Sequence, residues 1–202
     1  MTAPEQAAAP QPLHDPNASR RLIERWLREH GNIVQLLVLI ESQLAALQAG
    51  DDTDDELMLD AMTYLTDFVD GFHQSLEELA LEAAIGREPR LRNVQQELET
   101  QHARIREIGA WVREALERAL MDEPVRKQDL ARAGFAYTAE MRSNMRLEEA
   151  SVFPALERAV DATTWGRLAA KLSEHPDPLF GEVVHERYAT LFRELARRFG
   201  LE

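Results

Sequence analysis

Six side chains in this sequence have the types and spacing to build a buried metal site: His30, His73 with Glu77, His102, and Asn144 with Glu148. Each interrupts an otherwise apolar stripe. His30 has Trp26 at i−4, Ile33 at i+3 and Leu37 at i+7; His73 has Val69, Leu76 and Ala80 at the same offsets. His102 lies between Leu98 and Ile105, and Glu148 between Met145 and Val152. A single histidine on such a stripe is ordinary core packing. An unpaired buried carboxylate is costly, so Glu148 calls for a partner. His73 and Glu77 are four residues apart, which stacks them on one helix face, and Asn144 and Glu148 repeat that spacing. From His30 to His73 is 43 residues and from His102 to Asn144 is 42, so the four positions fall near mid-helix on successive strokes of a bundle. Neutral imidazole and carboxylate together suit iron, manganese or zinc, and a bridging carboxylate can hold two ions.

The elements that must position these residues are helices. The first is predicted from Asn17–Ser19, whose side chains can cap, to about Ala49, where Gly50 and the acidic residues 51–55 break it. A second is predicted over about 54–85, a third over about 89–121, and a fourth from near Glu123–Pro124 to about Val160. Pro154 lies inside the fourth and predicts a kink near 150–154. Two shorter helices, about 162–174 and 181–199, flank the breaker His175–Gly181. The fold class expected is all-α: an antiparallel up-down four-helix bundle over 17–161, with two short accessory helices over 162–202. Residues 1–16, rich in Ala, Pro and Gln, read as a flexible tail.

Composition narrows the function. A net charge of −13 leaves no basic stripe for nucleic acid. The most apolar run, Ile33 to Ile40, is far short of the ~20 residues a bilayer-spanning helix needs, which argues against a membrane partner. The absence of cysteine excludes disulfides, thiolate catalysis and cysteine-held clusters. With no basic and apolar leader at the N-terminus, the expected location is the cytoplasm. No serine or threonine sits in a nucleophile motif and there is no glycine-rich phosphate loop, so a triad enzyme or nucleotide-binding enzyme is not indicated.

Arg28-Glu29-His30, His73-x-x-x-Glu77, Gln101-His102 and Asn144-Met145-x-x-Glu148-Glu149-x-x-Val152-Phe153-Pro154 together resemble the hemerythrin-like family with the HHE cation-binding signature. Asp177-Pro178-Leu179-Phe180-Gly181 is similar to a segment of a bacterial subgroup. The resemblance covers roughly residues 20–195, helix 4 being its most specific part. It implies a non-haem di-iron centre: His30 and His73 on one iron, His102 and position 144 on the other, with Glu77 and Glu148 bridging. Other divalent metals fit the same ligands. The implied small ligand is dioxygen or nitric oxide, and family members also store iron or assist iron–sulfur repair.

Two departures from the family pattern bear on function. Asn144 stands where the family has histidine, and an amide oxygen is a poorer iron ligand. After Glu77-Glu78 the second helix lacks the family's Phe-Pro-like continuation. Glu140, one turn before Asn144, is either a rescuing carboxylate or a solvated one. Tyr137 is either a donor to the metal cavity or core packing, and Met141 and Met145 read as core filler. A ferritin-like carboxylate bundle needs two Glu-x-x-His pairs, and Glu99-x-x-His102 supplies one. The rival from another class is a metal-poor bundle of the same family acting as a protein-interaction module, as monomer or dimer. His14, His175 and His185 read as surface residues.

Overall fold

The computed structural model describes residues 17–201, so the tail expected over 1–16, His14 included, lies outside the described residues. Among the described residues six helices account for the fold, and there is no strand. Helix α1 is Ala18–Ala49, and Gly50, at φ +83°, ends it. The Asp51 N–H then turns back to the Ala46 carbonyl, a left-handed glycine stop. Helix α2 runs over 55–85, with the Asp54 carboxylate capping it by accepting from Leu57 N–H. Helix α3 is Leu91–Leu120, and α4 runs over 127–159. Helix α5 is Ala162–Ser173, capped by Asp161, and α6 is Ala189–Phe199.

The first four helices form a closed antiparallel ring. Contacts run in opposite senses along each neighbouring pair: Glu29 to His73 and Gln43 to Asp54, Glu78 to His102 and Asp67 to Arg113, Gln101 to Asn144 and Arg104 to Glu140, and His30 to Glu149 and Glu41 to Arg142. Two glycines let neighbours approach. A β-carbon at Gly134 would lie 2.5 Å from Leu44 Cδ1, and one at Gly109 would lie 2.9 Å from the Tyr137 ring.

Four local features differ from the sequence-based expectation or refine it. Helix α4 begins at Lys127, not near Pro124. The stretch between α5 and α6 is longer than the expected breaker and ends in a tight turn at Glu186–Tyr188, so α6 starts at Ala189, not 181. There the Asp177 carboxylate accepts the Leu179 and Phe180 N–H groups, giving the backbone a non-helical alternative. The disturbance expected at Pro154 is a wide π-turn over Glu148–Val152, after which Pro154 sits in the first turn of Phe153–Ala159. Proline cannot donate to the preceding turn, and a wider turn absorbs the missing bond. A second π segment, Leu65–His73, interrupts α2 and has no proline to announce it.

Two apolar clusters fill the bundle. One, with Leu36, Leu37, Leu44, Met62 and Ile105, also takes Leu191 and Leu195 of α6. The other, with Trp26, Leu76, Leu98 and Phe153, also takes Trp165, Leu168 and Leu172 of α5. Helix α1 runs through both and reaches, by length and composition, what a membrane-crossing helix needs, further than the run Ile33–Ile40 alone. In this fold its apolar face is spent on the core: Trp26, Leu36, Leu37, Leu39 and Leu44 are fully buried.

Candidate metal centre

Between the two apolar clusters lies a layer of buried polar side chains. Glu29, His30, His73, Gln74, Glu77, His102, Asn144 and Glu148 are all buried there. All six residues singled out in the sequence meet in this layer. Both π segments border it, one ending at His73 and the other starting at Glu148.

Each imidazole is held in the same way. His73 Nδ1 donates to Glu29 Oε2 at 2.7 Å, His102 Nδ1 to Glu78 Oε1 at 2.7 Å, and His30 Nδ1 to Glu149 Oε1 at 2.9 Å. A carboxylate only accepts, so the proton in each neutral ring sits on Nδ1 and the Nε2 lone pair faces inward. A carboxylate behind each ring is the arrangement that fixes the tautomer of metal-binding histidines and raises their basicity. Glu29 is itself anchored by Arg25, whose Nε donates to Oε1 at 2.8 Å.

On the inner side the groups gather closely. His73 Nε2 is 3.2 Å from Glu77 Oε1; His30 Nε2 is 3.5 Å from Glu77 Oε1 and 3.5 Å from Glu148 Oε2. His102 Nε2 is 3.4 Å from Glu148 Oε1. Two sets each have ligand atoms within 4.8 Å of one another, His30/His73/Glu77 and Glu77/His102/Glu148, and Glu77 belongs to both. Among the described residues, His30 Nε2, both Glu77 oxygens and Glu148 Oε2 are buried without a hydrogen-bond partner. Buried polar atoms normally find partners, and four orphans aimed at one small volume fit a cation between them.

The electrostatics point the same way. Five carboxylates touch three imidazoles, and the layer draws in positive charge. Burial works to lower His73, but Glu77 and Glu29 outweigh it and raise its pKa well above the usual value. Burial is likewise outweighed at His30 by Glu77 and at His102 by Glu148 and Glu78, so both are raised. Burial alone would raise Glu77; His73 and His30 hold it down instead, to about 2. Glu148 is raised by burial and by the neighbouring Glu77 charge. Without a cation the layer must hold protons to offset its own carboxylates.

Asn144 departs from this pattern. Its Nδ2 donates to Glu148 Oε1 at 3.0 Å and to Gln101 Oε1 at 3.4 Å. Glu140 is paired with Arg104 at 3.2 Å across α3 and α4 and is partly exposed, outside the buried layer. Tyr137 is fully buried, its ring against Gly109, and its hydroxyl has no partner among the described residues. Glu99, His175 and His185 are exposed; the His175 ring lies against Phe72, and His185 caps the short turn before α6.

The residues that orient the site, Glu29, Glu78 and Glu149, were not singled out from the sequence. Their signal is adjacency: each neighbours an inward-facing residue, in Glu29-His30, Glu77-Glu78 and Glu148-Glu149. Neighbours on a helix point about 100° apart. When one faces the bundle axis, the next reaches the adjoining helix. Asp70, within the α2 π segment, was also missed; burial pushes its carboxyl up to about 7, against the pull of Arg106.

The fold and the layer define a class: an all-helical bundle with a buried layer of histidines and carboxylates that could hold a cation, hemerythrin-like over part of its length. Residues 93–175 match the family profile of the hemerythrin HHE cation binding domain. That segment carries His102, Asn144 and Glu148; His30, His73 and Glu77 lie outside it. Among known proteins, the chain is similar to the uncharacterized protein Rv1995 of Mycobacterium tuberculosis and the uncharacterized protein Mb2018 of Mycobacterium bovis. It is 25% identical to each over 179 residues, covering 88% of this chain and 70% of each relative. No solved structure matches it.

Proposed function

We propose that this protein binds non-haem iron at the buried layer, in the cytoplasm, and that the metal centre takes dioxygen or nitric oxide as its small ligand. In this reading His30 and His73 would hold one ion and His102 the other, with Glu77 and Glu148 as the shared carboxylates. The observation that carries it is the common orientation of three imidazoles. Each has Nδ1 tied to a carboxylate and Nε2 facing the unpartnered carboxylate oxygens. Iron in such a ligand set supplies reversible one-electron chemistry and an open position for a diatomic molecule.

The chain's own residues do the rest. Glu29, Glu78 and Glu149 hold the rings, and the apolar clusters on either side exclude bulk water from the layer. Metal content per chain after anaerobic loading with ferrous iron, read with the absorption spectrum on admitting air, tests the reading. Bound iron with bands that appear in air is expected. Iron at background level would instead favour the metal-poor interaction module. That second reading draws on one observation: the Asn144 amide already satisfies one oxygen of Glu148.

A further inference from the structure

We infer that Asn144 is a positioning residue for Glu148, not a metal ligand, and that it leaves the His102 side of the centre one protein ligand short, with an open place for a small exogenous anion. The inference rests on the metal-binding reading and deepens it. A histidine at 144 would present one lone pair to the layer. A side-chain amide nitrogen presents only hydrogens, and here they go to Glu148 Oε1 and Gln101 Oε1.

The consequence for Glu148 is directional. Its Oε1 is occupied by Asn144 and faces His102 Nε2 at 3.4 Å, while its unpartnered Oε2 faces His30 Nε2 at 3.5 Å. The free oxygen is therefore turned towards the His30/His73 side. On that side stand two imidazoles, Glu77 and this oxygen. On the other stand His102, a share of Glu77, and an oxygen already engaged. Glu140 does not fill the gap, because Arg104 holds it outside the layer. Non-haem ferrous sites with few protein ligands complete their shells with exchangeable ones.

The clamp is read first in the metal-free protein. The side-chain amide protons of Asn144, followed by nuclear magnetic resonance, are expected to shift when Glu148 is replaced in Glu148→Ala. An unchanged resonance in a folded variant overturns the clamp. The open place is read with cobalt(II) as the metal probe and azide as the anion probe. In the native chain two binding steps are expected, separated by roughly tenfold or more, with azide altering the absorption of the second ion only. Asn144→His should draw the steps together and remove the azide response. A single azide-insensitive step in the native chain, or an unchanged pattern in Asn144→His, overturns the open place. No cobalt binding at all overturns the metal-binding reading itself, while the amide resonance still decides the clamp.

Discussion

The α1/α2 half of the buried layer offers two imidazoles and a carboxylate with both oxygens unpartnered, whereas the α3/α4 half offers one imidazole, an amide, and a carboxylate with one oxygen already engaged. The halves also differ in how they are held. Glu29, behind His73, has 9% of its side chain exposed and is braced by Arg25. Glu78, behind His102, is 45% exposed and borders a surface cleft of about 490 Å³ with Ser75, Gln95 and Glu99. A hydrogen bond to a charged group gains strength with burial and loses it to solvent and salt. The first half is thus better supplied with ligands, and its His73 has the more buried support. The profile match over 93–175 falls on the other half, so family likeness and ligand completeness lie on opposite sides of one layer.

The largest expected contrast is in pH. In the metal-free protein His30, His73 and His102 all have raised pKa values. Below those values an incoming cation must displace one proton per imidazole, so affinity falls as pH falls. Two imidazoles on the first half and one on the second give slopes of roughly a hundredfold and tenfold per pH unit. Competition with a chelator across a pH series reads both steps, and equal slopes would break the asymmetry. Next comes Glu77→Ala. As the group common to both ligand sets, its loss should weaken both steps by roughly a hundredfold or more, beyond the loss of an outer support. A loss confined to one step would make Glu77 a ligand to one ion alone.

Behind these stand the outer carboxylates. Glu29→Ala should weaken the first step alone by roughly 10–100-fold, and Glu78→Ala the second step alone by about tenfold, the lower end of that range. Equilibrium dialysis resolves the two steps. Equal losses would mean that burial of the supporting carboxylate is irrelevant.

The inward-facing residues were legible in the sequence because periodicity places them. A polar residue flanked by apolar ones at i−4 and i+3 must face the core, and the i,i+4 pairs must stack. The helices were legible for the same reason. The π segment at Leu65–His73 was not, since no proline or glycine pair marks where a helix must widen to seat a buried His73. Nor were the orienting carboxylates, whose role depends on which neighbouring helix lies within reach. Adjacency in the sequence pairs Glu29 with His30; the fold gives it to His73 instead. Whether Asn144 would turn its oxygen or its nitrogen to Glu148 was equally a matter of packing.

Glu149 tests how the halves should be divided. It belongs to α4, next to Glu148, yet its carboxylate crosses to His30 on α1. Division by helix assigns it to the second half; division by the ring it supports assigns it to the first. Its side chain is 44% exposed, so its hold on His30 is screened, and it borders a π-turn whose backbone already departs from the regular helix. Glu149→Ala should therefore weaken the first step only a few-fold, at or below the lower end of the range for outer supports, and leave the second unchanged. The effect should shrink further in high salt, unlike that of Glu29→Ala, whose carboxylate is buried. A change confined to the second step would mean that Glu149 acts by holding the π-turn under Glu148, and the layer would then divide by helix.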